Sequence, residues 1–309
     1  MVCHAIGKGG EQMYKRILVP LDGSLTGDRV LPYVRNLGRK LDAKVKLFRV
    51  FDERSEFSYP EPFLFQDRYG EDATLYRNEV MTSLGMTKTN LESAGVAAQA
   101  VMHEPDHPEI DMTDPDHDCG TPAQHIVAES KKVPDTLIVL STHGRAGLGR
   151  WVMGSVTDKV LHSVKTPMLI IRTEDNDAFL DGTMGHIIVP LDGSKLAETI
   201  LPHAVALAKG LNATLCLVRV TAGDNLSLEA RNDLKWLADR AREEGVAEVE
   251  SKVLYGLPAR AIVELTHKYP DSLVAMTTHG RSGMNRWLMG SVADKVVREA
   301  AGPVLVLRD

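Results

Sequence analysis

The sequence predicts an α/β fold: two tandem doubly wound domains, each a five-stranded parallel sheet in the order 3-2-1-4-5 flanked by helices. Three observations carry that expectation. "RILVPLDGS" (Arg16 to Ser24) recurs as "HIIVPLDGS" (His186 to Ser194). "STHGRAGLGRWVMGSV" (Ser141 to Val156) recurs as "TTHGRSGMNRWLMGSV" (Thr277 to Val292). Each copy then closes on an apolar run, "TPMLIIR" (Thr166 to Arg172) or "GPVLVLR" (Gly302 to Arg308). A repeat this long is not a solenoid unit, so each copy should be a domain with its own core. The chain of 309 residues, 43% of them apolar, is long enough for two.

Within the second copy, β-branched apolar runs read as strands at Ile187–Leu191, Thr214–Val220, Glu248–Leu254, Leu273–Thr277 and Pro303–Leu307. Amphipathic stretches between them read as helices near Leu196–Gly210, Ser227–Glu244, Pro258–Lys268 and Val292–Ala300. Strands this uniformly apolar, separated by helices, imply a parallel sheet covered on both faces with right-handed crossovers. The first copy repeats the order with strands at Ile17–Leu21, Val45–Val50, Ala97–Met102, Thr136–Leu140 and Met168–Ile171. It also carries two insertions, about 51–70 and 104–119. The expected domains are 13–173 and 185–309, joined by the polar "TEDNDAFLDGTMG". The last strands of the two copies are expected to pair within the chain, satisfying each other's edge.

Charge and cysteine content bound the function. A net charge of −6 and a pI near 6.0 disfavour nucleic acid as a partner. Three scattered cysteines suit reduced thiols better than a disulfide framework. Neither a signal peptide nor an apolar stretch of about 18 residues is evident, so the expectation is a cytoplasmic protein without a membrane partner.

In a doubly wound sheet, ligands sit beyond the carboxyl ends of the strands where the order reverses. The repeated motifs fall there: "VPLDGS" closes strand one, and "LSTHGR" or "MTTHGR" closes strand four. After strand four come Gly144, Gly147 and Gly154–Ser155, or Gly280, Gly283 and Gly290–Ser291, the last pair opening a helix. Glycines let backbone amides approach a phosphate, and a helix N-terminus adds aligned donors. Arg145 and Arg281 stand beside these glycines as possible counter-charges. The competing reading is a plain strand-to-loop turn. No GxxxxGK[ST] occurs, and "GRAGLG" has neither the spacing nor the position of a dinucleotide fingerprint. Asp22 and Asp192 read either as ligand contacts or as local turn acceptors, and Ser24 and Ser194 as helix N-caps.

Together these motifs resemble the universal stress protein family, twice over. The family's strand end of P-x-D-G-S type is matched at Pro20–Ser24 and Pro190–Ser194. Its later G-x2-G-x9-G-[ST] stretch is matched at Gly144, Gly154 and Ser155, and at Gly280, Gly290 and Ser291, with Ser141 and Thr277 in place of its first glycine. The resemblance implies paired α/β domains and, in one branch, ATP with Mg2+ held between the ends of strands one and four. By that resemblance Pro20, Asp22 and Val50, or Pro190, Asp192 and Val220, would meet the nucleoside. His143, Gly144, Gly154, Ser155 and Val156, or His279, Gly280, Gly290, Ser291 and Val292, would hold the phosphates. It also admits a homodimer of whole chains. A cradle without an evident base predicts a nucleotide-dependent sensor or regulator with at most slow hydrolysis. The alternative is a protein acting by contacts alone.

The 104–119 insertion gathers residue types that bind divalent transition metals. His103, His107, His117 and Cys119 are the candidate ligands, against a solvated acidic loop as the competing reading. "HEPDH" matches HExxH in letters only, because Pro105 and Pro108 forbid the helix that motif requires.

Overall fold

A computed structural model describes residues 12–51, 66–104, 120–142, 153–172, 181–223, 227–278 and 289–308, with side chains in the helix beginning at 66 described from residue 74. The strands are β1 (Arg16–Pro20), β2 (Lys44–Val50), β3 (Ala98–His103), β4 (Thr136–Ser141) and β5 (Met168–Ile171) in the first half. The second half has β6 (His186–Pro190), β7 (Thr214–Thr221), β8 (Val249–Tyr255), β9 (Ser272–Thr277) and β10 (Val304–Leu307). They form one ten-stranded sheet in the order β3-β2-β1-β4-β5-β10-β9-β6-β7-β8. Each half is thus 3-2-1-4-5, parallel throughout. The halves join where β10 pairs antiparallel with β5, Leu305 opposite Leu169.

Helices cover both faces, as a parallel sheet of apolar strands requires. On one face lie α2 (Leu31–Leu41), α3 (Gln66–Ser93), α7 (Leu201–Leu211) and α8 (Ser227–Glu243), over a core containing Leu37, Leu91, Ala204 and Leu234. On the other lie α4 (Pro122–Ser130), α5 (Ser155–Ser163), α9 (Pro258–Lys268) and α10 (Ser291–Glu299), over Ile126, Val160, Ile262 and Val296. Both cores run through the β5–β10 junction, so the halves share their interior.

The single helix expected at Leu196–Gly210 is in fact two. The short α6 (Lys195–Glu198) stops, and α7 starts afresh at Leu201 with Pro202 in its first turn. The ring removes the amide that would continue the hydrogen-bond ladder, which ends one helix and suits the start of another. The first half repeats the break between α1 (Leu25–Asp28) and α2, at Pro32. The stretch expected as an insertion about 51–70 runs into helix at its end. Residues 66–70 already belong to α3, which has 28 residues against 17 in α8.

The inter-half segment is fixed where it meets α2. Asn36 Nδ2 donates to the Gly182 carbonyl at 2.8 Å. Gly182 has φ +71° and lies so close to the Pro32 and Tyr33 backbone that any Cβ would collide. Nearby, the Tyr14 hydroxyl meets His203 Nδ1 of α7 at 2.8 Å, another contact between the halves.

Candidate functional site

The fold opens a crevice at one place in each half. β1 follows β2 in register through Pro20↔Phe48, but its pairing with β4 runs only from Arg16↔Thr136 to Leu18↔Ile138. The second half is identical: β6 follows β7 through Pro190↔Val218 and leaves β9 after Ile188↔Val274. Beyond these points the pairing ends, and the described parts of the repeated motifs, the "DGS" turns and the starts of α5 and α10, follow these strands.

The "DGS" turn forms one wall. Asp22 Oδ1 accepts from the Ser24 amide at 3.0 Å and the Ser24 hydroxyl at 2.6 Å. Ser24 Oγ in turn accepts from the Gly27 amide at 2.9 Å, capping α1. Asp192, Ser194 and Ala197 repeat the arrangement at 2.9, 2.6 and 3.1 Å. Gly23 and Gly193 sit at φ +74° and +85°, a backbone region that side chains disfavour, which is why glycine separates the acid from the cap. Both serines are N-caps. One oxygen of each aspartate is committed to its turn.

The start of α5 or α10 forms the opposite wall. The Gly154 amide donates to the Thr142 carbonyl at 2.6 Å, and the Gly290 amide to the Thr278 carbonyl at 2.8 Å. These bonds clamp the base of each glycine-rich loop and use up the glycine amide. Gly154 and Gly290 have φ of −56° and −59°, so positive-φ freedom is not what glycine supplies there. The amides of Ser155, Val156 and Thr157, like those of Ser291, Val292 and Ala293, have no intrahelical acceptor and point out of the helix end with its favourable dipole. Among the described residues no side chain caps either end. Thr157 Oγ1 donates to the Ser141 carbonyl at 2.8 Å in the first half; Ala293 occupies that place in the second.

In the second half the two walls enclose a cavity of about 280 Å³. Asp192 lies at one side, Ser291 and Val292 at the other, and Val218, Val220 and Ile262 among the apolar residues between. Thr277 at the end of β9 and Thr278 just after it line the cavity; both are buried. This combination of apolar floor, few polar groups and a helix N-terminus is the usual constitution of a small-molecule site, with a volume just under the customary range of roughly 300 to 1,000 Å³. The chain therefore brings together Pro190, Asp192, Val220, Thr277, Gly290, Ser291 and Val292, as their first-half counterparts Pro20, Asp22, Val50, Ser141, Gly154, Ser155 and Val156 are brought to the ends of β1, β2, β4 and α5. His143, Gly144, Arg145 and Gly147, and His279, Gly280, Arg281 and Gly283, lie outside the described residues.

Of the candidate metal ligands, His107, His117 and Cys119 also lie outside the described residues. His103 ends β3, and its Nε2 is 2.9 Å from Nδ1 of His125 on α4. Among the described residues no three His, Cys, Asp or Glu side chains gather as a metal site would need. His125 escaped sequence reasoning because 22 residues separate it from His103. A signal was available in hindsight: the matching positions in the second copy, Leu254 and Ala261, are apolar.

A tandem α/β protein with a crevice at the switch point of each half is the class that fold and site define. The family model described as "Universal stress protein family" matches residues 13–172 and again 184–308. The chain belongs to that family. A universal stress protein of Methanocaldococcus jannaschii is 32% identical over 138 residues, 40% of this chain and 81% of that one. One from Synechocystis is 25% identical over 311 residues, 95% of this chain and all of that one. The crystal structure of a universal stress protein from Archaeoglobus fulgidus superimposes with a TM-score of 0.71 at 21% identity, over 95% of this chain and 98% of that one. That last likeness is one of fold. Among the described residues no helix is long and apolar enough to cross a membrane.

Proposed function

We propose that this protein binds an adenine nucleotide, ATP with Mg2+, in the cleft of its second half and acts as a nucleotide-dependent regulator rather than as an efficient hydrolase. The observation that carries the reading is the cavity between the "DGS" turn and the start of α10. An apolar slot for a base leads to three outward amides and a helix dipole, the arrangement that favours phosphate. Mg2+ would enter as the counter-ion of the phosphates, mostly hydrated, which requires no dedicated protein cage. Asp192 is the one ionisable side chain among the described residues lining the cavity, and its Oδ1 holds the turn. A positioned base is thus lacking among them, which supports slow turnover.

Ser291→Pro tests the reading. Ser291 is the first residue of α10, where proline is favoured, and Gly290 already has the extended conformation that precedes proline (φ −59°, ψ 147°). The substitution removes one amide donor while keeping the helix. A hydrogen bond to a charged group is worth roughly 1.5–3 kcal/mol, so ATP affinity should fall roughly 10- to 100-fold with thermal stability unchanged. Unchanged affinity, or wild-type protein that binds no ATP with Mg2+ in calorimetry, would overturn the proposal.

A further inference from the structure

We infer that the two halves are not equivalent nucleotide sites: in the first, Phe48, backed by His103 and through it His125, fills the base-binding end of the cleft, so the chain takes one nucleotide, in its second half. This rests on the function proposed above and adds a stoichiometry and a location to it. The strand registers make the comparison direct. Pro20↔Phe48 matches Pro190↔Val218, and Val50↔His103 matches Val220↔Leu254. Pro122 and Pro258 open matching helices, which puts His125 where the second half has Ala261. At three neighbouring positions, therefore, the first half carries a ring where the second carries an aliphatic side chain, and of those three aliphatic residues Val218 lines the cavity.

The rings are not merely present but interlocked. Phe48 is 3% exposed and packs in the same core as Ile126, the counterpart of the cavity-lining Ile262. His103 stacks on Phe48 with centroids 5.6 Å apart and planes at 23°. His103 and His125 share the 2.9 Å hydrogen bond, with centroids 4.6 Å apart. Lys46 Nζ also stands 5.8 Å from the centroid of the Phe48 ring while paired with Glu129 at 2.7 Å. A base entering here would have to expel a buried phenyl ring and separate two hydrogen-bonded imidazoles. The second half presents Val218 at the same place, and Val218 lines an open cavity. Dense packing leaves such an intruder no room to be accommodated by small shifts.

The experiment counts and locates bound ATP on the full chain, using native mass spectrometry with ATP and Mg2+ and photolabelling with an azido-adenine analogue followed by peptide mapping. The wild type should hold one ATP per chain, with label in the peptides of β7, β9 and α10. Val218→Phe should abolish binding, and the combined Phe48→Val, His103→Leu, His125→Ala variant should hold two. Two ATP per wild-type chain, or label concentrated in the peptides of β2 and α4, would overturn the inference, as would a combined variant that folds and stays at one. Should the variants not fold, the wild-type count and label map decide alone. A wild type that binds no ATP refutes the underlying functional proposal instead.

Discussion

His203 should make the contact between the halves sensitive to acid. Burial holds its imidazole down at about 4, against an ordinary value of 6.5. Its Nδ1 faces the hydroxyl of Tyr14, itself buried and pushed further toward its neutral form. A neutral ring accepts from the tyrosine O–H and a protonated one donates to the hydroxyl oxygen, so the cost of charging the ring lies in its burial. Lys131, Lys165 and Asp135 line the same 390 Å³ cavity, Asp135 being paired with Lys15 at 3.0 Å. Because the folded-state value is depressed, the unfolded chain binds the proton first as pH falls. Stability is therefore intact above about 6.5, declines between 6.5 and 4, and levels off below. The full difference of 2.5 units corresponds to roughly 3 kcal/mol, of which about 2 kcal/mol is already lost at pH 5. Urea unfolding at pH 7.5 and pH 5.0 measures this directly. His203→Gln keeps a polar partner for Tyr14 and cannot ionise, so its loss between those pH values should be smaller than that of the wild type by about 2 kcal/mol. Equal losses in both proteins would refute the linkage.

Other sites offer independent checks. Glu129, 3% exposed, receives Arg16, Lys46 and Lys132 within 2.7–3.0 Å. Burial works against its ionisation, but the hydrogen bonds and charges of Lys46 and Lys132 prevail and hold the carboxyl below the usual range. Its contribution is thus present at neutral pH and lost in acid, and Glu129→Gln, which strands buried cations, should cost about 3–5 kcal/mol in urea unfolding. Leu305, fully buried in β10 opposite Leu169, should cost about 2–5 kcal/mol when changed to alanine, read as a lowered Tm. Gly182→Ala should destabilise by more than about 1 kcal/mol, since it meets both a positive φ and the Pro32 backbone.

The sequence revealed most of the architecture because its strands are nearly pure signal. Ile17–Leu21 and Ile187–Leu191 are too apolar to lie anywhere but inside a parallel sheet, and their spacing fits only crossovers through helices. The Asp-Gly-Ser turns were equally legible, since cap, acid and glycine each have a local role. What stayed hidden depends on partners distant in the chain. The Gly154 and Gly290 amides look free for a phosphate until the carbonyls of Thr142 and Thr278 are seen to take them. Phe48 reads as one more strand hydrophobe, and only its register against Pro20, set beside that of Val218 against Pro190, places it in the cleft. The break at Thr199 and Ile200 was overlooked although Pro202 announced it.

The antiparallel join has a consequence for how a bound ligand could act. Pairing β5 with β10 head to tail points the strands of the two halves in opposite directions, while helices α4, α5, α9 and α10 remain on one face. The two crevices thus share a face of the sheet but open at opposite edges, with β4, β5, β10 and β9 between them. Ligand in one cannot touch the other. Any influence of the second-half cleft on the first must pass through the junction strands and the core they share, where Leu169, Leu305 and Ala275 are all at most 1% exposed. A junction packed this tightly moves as a unit or not at all. On the function proposed above, regulation by nucleotide is therefore better sought at the rim, around the start of α10 and the "DGS" turn, than in a rotation of one half against the other.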